Sequence, residues 1–92
     1  MFKFLAVIKK KNGNDPEIIL LDEKQQIFSI EAAQRYLRQY SGTHDIEFLF
    51  ELANTTTAKL AMKQVLDKYQ NHPMHEQIKQ KLKEVLEPFK PK

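Results

Sequence analysis

Histidine, serine and aspartate are the first candidates for chemistry in this sequence. His72 and His75 are three positions apart, a spacing that puts two imidazoles on neighbouring points of one helical turn, as metal ligands require. A metal site needs further ligands, and the sequence places none beside this pair. We therefore expect both histidines to lie in a loop and at a helix start, with no metal bound.

Ser41, His44 and Asp45 provide the residue types of a nucleophilic triad within one short loop. Residues so close along a loop seldom line up for the two hydrogen bonds that a triad needs. Glu47 and Glu51 would share one face of a strand, or lie one turn apart on a helix, as solvated carboxylates. These groups predict no catalytic centre.

The glycine content argues against a nucleotide-binding loop. The chain has only two glycines, Gly13 and Gly42, far apart in sequence. A phosphate-binding loop or a dinucleotide fingerprint needs several glycines in one short stretch, where the backbone must approach the phosphates closely. We expect no enzymatic activity and no cofactor.

Basic residues are the remaining candidates for function. Lys59 and Lys63 are spaced i, i+4, as are Lys79 and Lys83, so each pair lies on one side of a helix. The six candidate binding residues are Arg35, Arg38, Lys59, Lys63, Lys79 and Lys83. Nucleic acid is one possible partner, through backbone phosphates. Nearby acidic residues dilute this charge, and no run of aromatic residues for base stacking accompanies it.

Composition limits where and how the chain works. Its 92 residues correspond to a single domain, and the absence of cysteine excludes disulfides and thiolate metal sites. An intracellular, cytoplasmic location is favoured, because small secreted domains usually rely on disulfides. No run approaches the roughly 20 apolar residues that cross a bilayer, so we expect no membrane partner. The net charge is +3.

The first elements form a predicted β-hairpin. Phe2 to Ile8 is apolar on both alternating faces, as in a strand covered on both sides. Asn12-Gly13 predicts a turn with positive φ, and the loop has room to be longer than two residues. Glu17 to Asp22 is the return strand.

A helix follows, capped by Ser29 and ended by Ser41-Gly42, with Gly42 predicted in the left-handed conformation. Residues 45–52 fit either a strand or a helix. Their aromatic content and alternation favour the strand.

Two further helices complete the chain. Thr55 to Thr57 predicts the cap of the first, whose apolar face runs from Ala58 to Tyr69. Pro73 is placed in the first turn of the second. The short connection between them predicts an antiparallel helical hairpin.

The predicted fold is therefore a small α+β domain of order β-β-α-β-α-α. Its three-stranded sheet has the order 2-1-3, with the first strand central. Residues 1–54 hold the sheet and first helix, and residues 55–88 hold the helical hairpin. The predicted buried residues are Phe4, Ala6, Leu20, Leu37, Phe48, Met62, Leu66, Ile78 and Leu82.

Two short segments resemble a known family. The helix Glu31 to Leu37 (EAAQRYL) and the strand Asp45 to Phe48 are similar to the small epsilon subunit of Gram-positive RNA polymerase. The helical hairpin has no counterpart in that family. The resemblance is in keeping with a protein-binding role and implies no site residues.

The sequence thus favours a small non-enzymatic module that binds another macromolecule, acting as an adaptor, inhibitor or accessory subunit. A protein is the favoured partner. A nucleic acid bound by a lysine-rich helical surface is the alternative.

Overall fold

The computed structural model describes residues 3–89, and the predicted strand residue Phe2 lies outside them. The strands are β1 (Phe4–Lys10), β2 (Pro16–Leu21) and β3 (His44–Glu51), and the helices are α1 (Ile30–Leu37), α2 (Thr55–Lys68) and α3 (His75–Val85). Short 3-10 turns span Glu23–Gln25, Arg38–Tyr40 and Glu87–Phe89. The predicted order and the strand in residues 45–52 are confirmed.

The sheet has the order β2-β1-β3, with β1 antiparallel to both neighbours. β2 and β3 are consequently parallel to each other, which is why a helix, α1, connects them across β1. The pairing of β1 with β3 shifts register between Val7 and Ile8, so β3 bulges near Glu47. A bulge at an edge strand interrupts the alternation of side chains between the two faces.

β1 is buried on both faces, as predicted, and each face belongs to a separate core. Leu5 and Val7 point to α2 and α3 in the hairpin-side core, whereas Phe4, Ala6 and Ile8 point to α1 in the α1-side core. The hairpin-side core also buries Leu52, Ala58, Ala61, Val65, Tyr69, Ile78, Leu82 and Leu86. The alternating side chains of one strand thus hold both helical layers.

The predicted core is correct for Phe4, Ala6, Leu37, Ile78 and Leu82, which are buried. Four other predicted core residues are only half-buried: Leu20, Phe48, Met62 and Leu66. The first two belong to the outer strands of the sheet. Met62 and Leu66 lie along one side of α2, next to its buried face, which carries Val65.

Helix caps follow the sequence at α1 and differ from it at α2 and α3. Ser29 Oγ accepts a hydrogen bond from the Ala32 amide at 3.1 Å, as predicted. The cap of α2 is Asn54 and not a threonine: Asn54 Oδ1 accepts from the Thr57 amide at 3.0 Å, and Thr57 Oγ1 accepts from the Asn54 amide. Pro73 precedes α3 and does not lie in its first turn.

The two glycine predictions are wrong in conformation. Neither Gly13 nor Gly42 has positive φ. The β1–β2 loop spans residues 11–15, and in it the Gly13 amide donates to the Lys10 carbonyl at 3.0 Å. In a loop of this length the tight two-residue turn is not needed. Among residues 3–89 the left-handed conformation is adopted by Gln26, with φ 59°, which ends the 3-10 turn before α1.

Candidate functional site

One histidine of the pair, His72, joins two loops. His72 Nε2 donates to the Asn14 carbonyl at 2.8 Å, and its Nδ1 accepts from the Met74 amide at 2.9 Å. His72 therefore ties the β1–β2 loop to the α2–α3 connection. His75 Nδ1 lies 3.2 Å from the Tyr69 carbonyl. Within residues 3–89 no group of three or more metal-ligating side chains is assembled.

The predicted hydroxyl, imidazole and carboxylate do not converge. His44 Nδ1 lies 2.7 Å from Thr43 Oγ1, and His44 Nε2 lies 3.7 Å from a carboxylate oxygen of Glu17. Among the described residues no hydrogen bond joins His44 to Ser41 or Asp45. The imidazole is thus engaged by neighbours other than the two that a triad would require.

The two glutamates of β3 do not share a face, contrary to the sequence expectation. Glu51 aligns with Phe4 of the α1-side core. Glu47 lies on the other side of the sheet, where its carboxylate is 3.3 Å from Lys68 Nζ of α2. The bulge between them breaks the alternation that the sequence implied.

A buried phenol lies near Glu47. The Tyr69 side chain belongs to the hairpin-side core, and its hydroxyl has no hydrogen-bond partner among the described residues. Burial, and then the negative charge of Glu47, raise the pKa of Tyr69 to about 12. The phenol is consequently neutral at physiological pH.

The two arginines are exposed and lie beside different clefts. Arg35 lines a cleft with Ile27 and Tyr36. Arg38 lines another cleft, between α1 and the open edge of β3, with Ile46 and other residues. Arg35 of α1 and Arg38 of the 3-10 turn that follows it therefore do not form one paired site.

Two of the four hairpin lysines line the same groove. Thr55 and Ala58, at the start of α2, line the same groove as Leu86, just after α3. Because residues 69–74 connect the opposite ends of these helices, the predicted antiparallel hairpin is confirmed. Lys59 and Lys83 both line this groove. Their i, i+4 neighbours Lys63 and Lys79 continue the two rows by one turn each, and we name these four lysines the basic hairpin face.

Exposure of the basic hairpin face is uneven. Lys59, Lys63 and Lys83 are exposed, whereas Lys79 is half-buried. The salt bridges of residues 3–89 involve other partners, and none of the four lysines takes part in one. Their charges are therefore available to an external anion.

The groove between the helices is apolar. The α2–α3 groove has a volume of about 200 Å³ and is lined by Thr55, Ala58, Lys59, Met62, Lys83, Leu86 and Phe89. No carboxylate is among these residues. Lys3 Nζ lies over the Phe89 ring, 5.8 Å from its centroid, and adds a third positive charge nearby.

The groove itself is a feature that sequence reasoning missed. Leu86 is buried, yet it is not among the residues that the sequence predicts to be buried. Its spacing from Leu82 and from Phe89 was the available signal, since i+4 and i+3 neighbours share one helical side. The i, i+4 spacing of the lysines predicts a row on each helix, but without Leu86 nothing in the sequence indicates an apolar surface between the two rows.

No helix within the described part of the chain has the length and apolar character of a membrane span. Comparison with protein-family models, with curated proteins and with solved structures finds no match to this chain. The α2–α3 groove and the basic hairpin face are therefore the features that bear on function.

Proposed function

We propose that this protein is a small, non-enzymatic module that binds an acidic protein partner through the basic hairpin face. One observation carries the proposal: lysines that form no salt bridge within residues 3–89 flank an apolar groove, and none of its described lining residues is a carboxylate. Charge complementarity at such a surface increases the association rate and selects against basic partners. A cytoplasmic location agrees with the lack of cysteine.

A nucleic acid is the second candidate, and the clustering of four lysines favours it. Lysine ammonium groups bind backbone phosphates, and each phosphate that they neutralise releases its counterions. The apolar floor favours a protein instead, because phosphodiester chains gain little from an aliphatic groove. Met62 and Leu86 provide such a floor.

The test is a pull-down from lysate of the source cells, with and without nuclease. We expect a protein to be retained after nuclease treatment and identified by mass spectrometry. Lys59→Glu with Lys83→Glu should release it, because both lysines line the groove. Lys24→Glu with Lys81→Glu is the matched control. It makes the same change in net charge at two exposed lysines that do not line the groove, and it should retain the partner.

Two outcomes would contradict this function. Release of all captured material by nuclease would support the nucleic-acid alternative. Equal retention by the reversal and control variants would remove the basic hairpin face from consideration. Both double variants alter exposed side chains, so their unfolding free energies should each stay within roughly 1 kcal/mol of wild type.

A further inference from the structure

The shape of the α2–α3 groove limits what its occupant can be, and this inference rests on the function proposed above. Its volume of about 200 Å³ is below the roughly 300–1,000 Å³ of clefts that enclose a drug-sized ligand. The space suits one large apolar side chain. It does not suit a bulky cofactor or a whole helix laid along its length.

The chemistry of the groove walls points the same way. Met62 from α2 and Leu86 and Phe89 from the end of the hairpin supply flexible and aromatic surfaces. Methionine adapts to different side chains and makes favourable contacts with aromatic rings. An aromatic or large aliphatic side chain would therefore be well packed here.

The lysine charges at the groove determine which groups are favoured around the inserted side chain. Lys59 and Lys83 lie on opposite helices at the groove, so anions are favoured on both sides of an inserted group. Lys3 adds a positive charge at the Phe89 end. The chain's own residues after Phe89 are Lys-Pro-Lys, whose charge has the same sign as that of the groove lysines. A segment of this kind is therefore a poor occupant.

We infer that the α2–α3 groove is an anchor site for an acidic protein segment, which inserts one large apolar side chain between α2 and α3 while flanking carboxylates pair with Lys59 and Lys83. The buried side chain supplies affinity, and the carboxylates supply orientation. A basic segment with the same anchor is rejected by like charge, which gives the site its selectivity.

The test uses defined peptides and the full chain labelled at the methionine methyl groups. The probe is a short peptide with one central Phe between glutamates, and its partner peptide carries Ser in place of Phe. Met62 reports from inside the groove, and Met74, which precedes α3 at the opposite end of the hairpin, is an internal reference. Binding is followed by NMR titration.

We expect the Phe peptide to shift the Met62 methyl resonance and leave Met74 unchanged. The Ser peptide should bind about tenfold more weakly or worse, from the lost burial of an aromatic side chain. Replacing the glutamates by lysine should abolish binding. Lys59→Glu with Lys83→Glu should lower the affinity for the Phe peptide. The control, Lys24→Glu with Lys81→Glu, should leave that affinity unchanged.

A second variant tests the groove without altering charge. Thr55 is half-buried and lines the groove, so Thr55→Phe places a ring in the space that the anchor would take. It should erase the difference between the Phe and Ser peptides. Retention of that difference in a folded variant would place the anchor elsewhere.

The outcomes separate this inference from the proposed function. If the Phe and Ser peptides bind equally well, an acidic partner remains but the anchor inference is wrong. If neither acidic peptide binds, both fail. If a single-stranded oligonucleotide shifts Met62 and the peptides do not, the surface serves nucleic acid and both are again overturned.

Discussion

At the scale of single residues, Tyr69 is the most unusual side chain in the hairpin-side core. It is only 7% exposed, and its hydroxyl has no hydrogen-bond partner among the described residues. A buried hydroxyl without a partner loses its hydration and gains nothing in return, which costs free energy. The ring contributes by packing, edge-on to His72 with centroids 5.7 Å apart.

Tyr69→Phe should therefore leave the unfolding free energy unchanged or raise it by up to about 1 kcal/mol at neutral pH, because only the unpaired hydroxyl is removed. Urea unfolding measures the change. Tyr36→Phe is the control, since Tyr36 is only half-buried and packs against the other core. That variant should gain no stability. A loss of more than about 1 kcal/mol in Tyr69→Phe would mean that the hydroxyl is hydrogen-bonded in solution.

Alkaline pH offers an independent check on the same residue. The folded chain holds the pKa of Tyr69 at about 12, whereas an unfolded tyrosine ionises near pH 10. Between these values the unfolded state loses a proton that the folded state keeps. The contribution of Tyr69 to stability is thus fully present below about pH 10 and is lost as pH rises through about 12.

Comparison of wild type with Tyr69→Phe isolates this contribution, because the other tyrosines are common to both. The stability advantage of the variant should widen between pH 9 and pH 11 in urea unfolding, by the linkage of proton binding to folding. A constant difference over that range would contradict the raised pKa.

At the scale of the elements, the helical hairpin decides which apolar residues matter. Leu82 of α3 is fully buried, whereas Leu60 of α2 is 55% exposed. Leu82→Ala should lower the unfolding free energy by roughly 2–5 kcal/mol, through lost burial and the cavity that remains. Leu60→Ala should change it by no more than about 0.5 kcal/mol.

Urea unfolding of the two variants measures this contrast for one and the same substitution. Leu66→Ala should fall between them, since Leu66 is half-buried. Equal losses of unfolding free energy in Leu82→Ala and Leu60→Ala would contradict the orientation of the hairpin on the sheet.

The elements also show where sequence reasoning succeeded. Ser29, followed by an i, i+3, i+4 apolar pattern, fixes the start of α1, because the cap and the buried face are both local properties. Asn54 was missed in favour of the threonines after it. The capping residue is the last residue with an extended backbone before the helix begins. Asn54 is extended, whereas Thr55 is already helical.

At the scale of the whole molecule, β1 couples the two cores. Leu5 and Val7 belong to one core, and Phe4, Ala6 and Ile8 to the other. Leu37→Ala on the α1 side should therefore destabilise both cores and lower the unfolding free energy by roughly 2–5 kcal/mol. Amide hydrogen exchange measures the result for each core. We expect protection at Val65 in α2 to fall by the same free energy as protection at Ala33 in α1.

Wild-type protection across α2 and α3 in this variant would contradict such coupling. The hairpin would then be an independently stable unit. Val65→Ala is the reciprocal variant, because Val65 is fully buried in the hairpin-side core. It should lower the protection of Ala33 in the same way.

The sequence by itself determined the element order, the central position of β1 and the spacing of the lysines, because these depend on local propensity and on the period of apolar residues. Only the tertiary structure decided the rest. The bulge near Glu47 separates two glutamates that the alternation had placed together. The antiparallel packing of α2 and α3 unites Lys59 and Lys83, which are distant in sequence, over an apolar floor. Such juxtapositions depend on how helices pack, which no local pattern specifies.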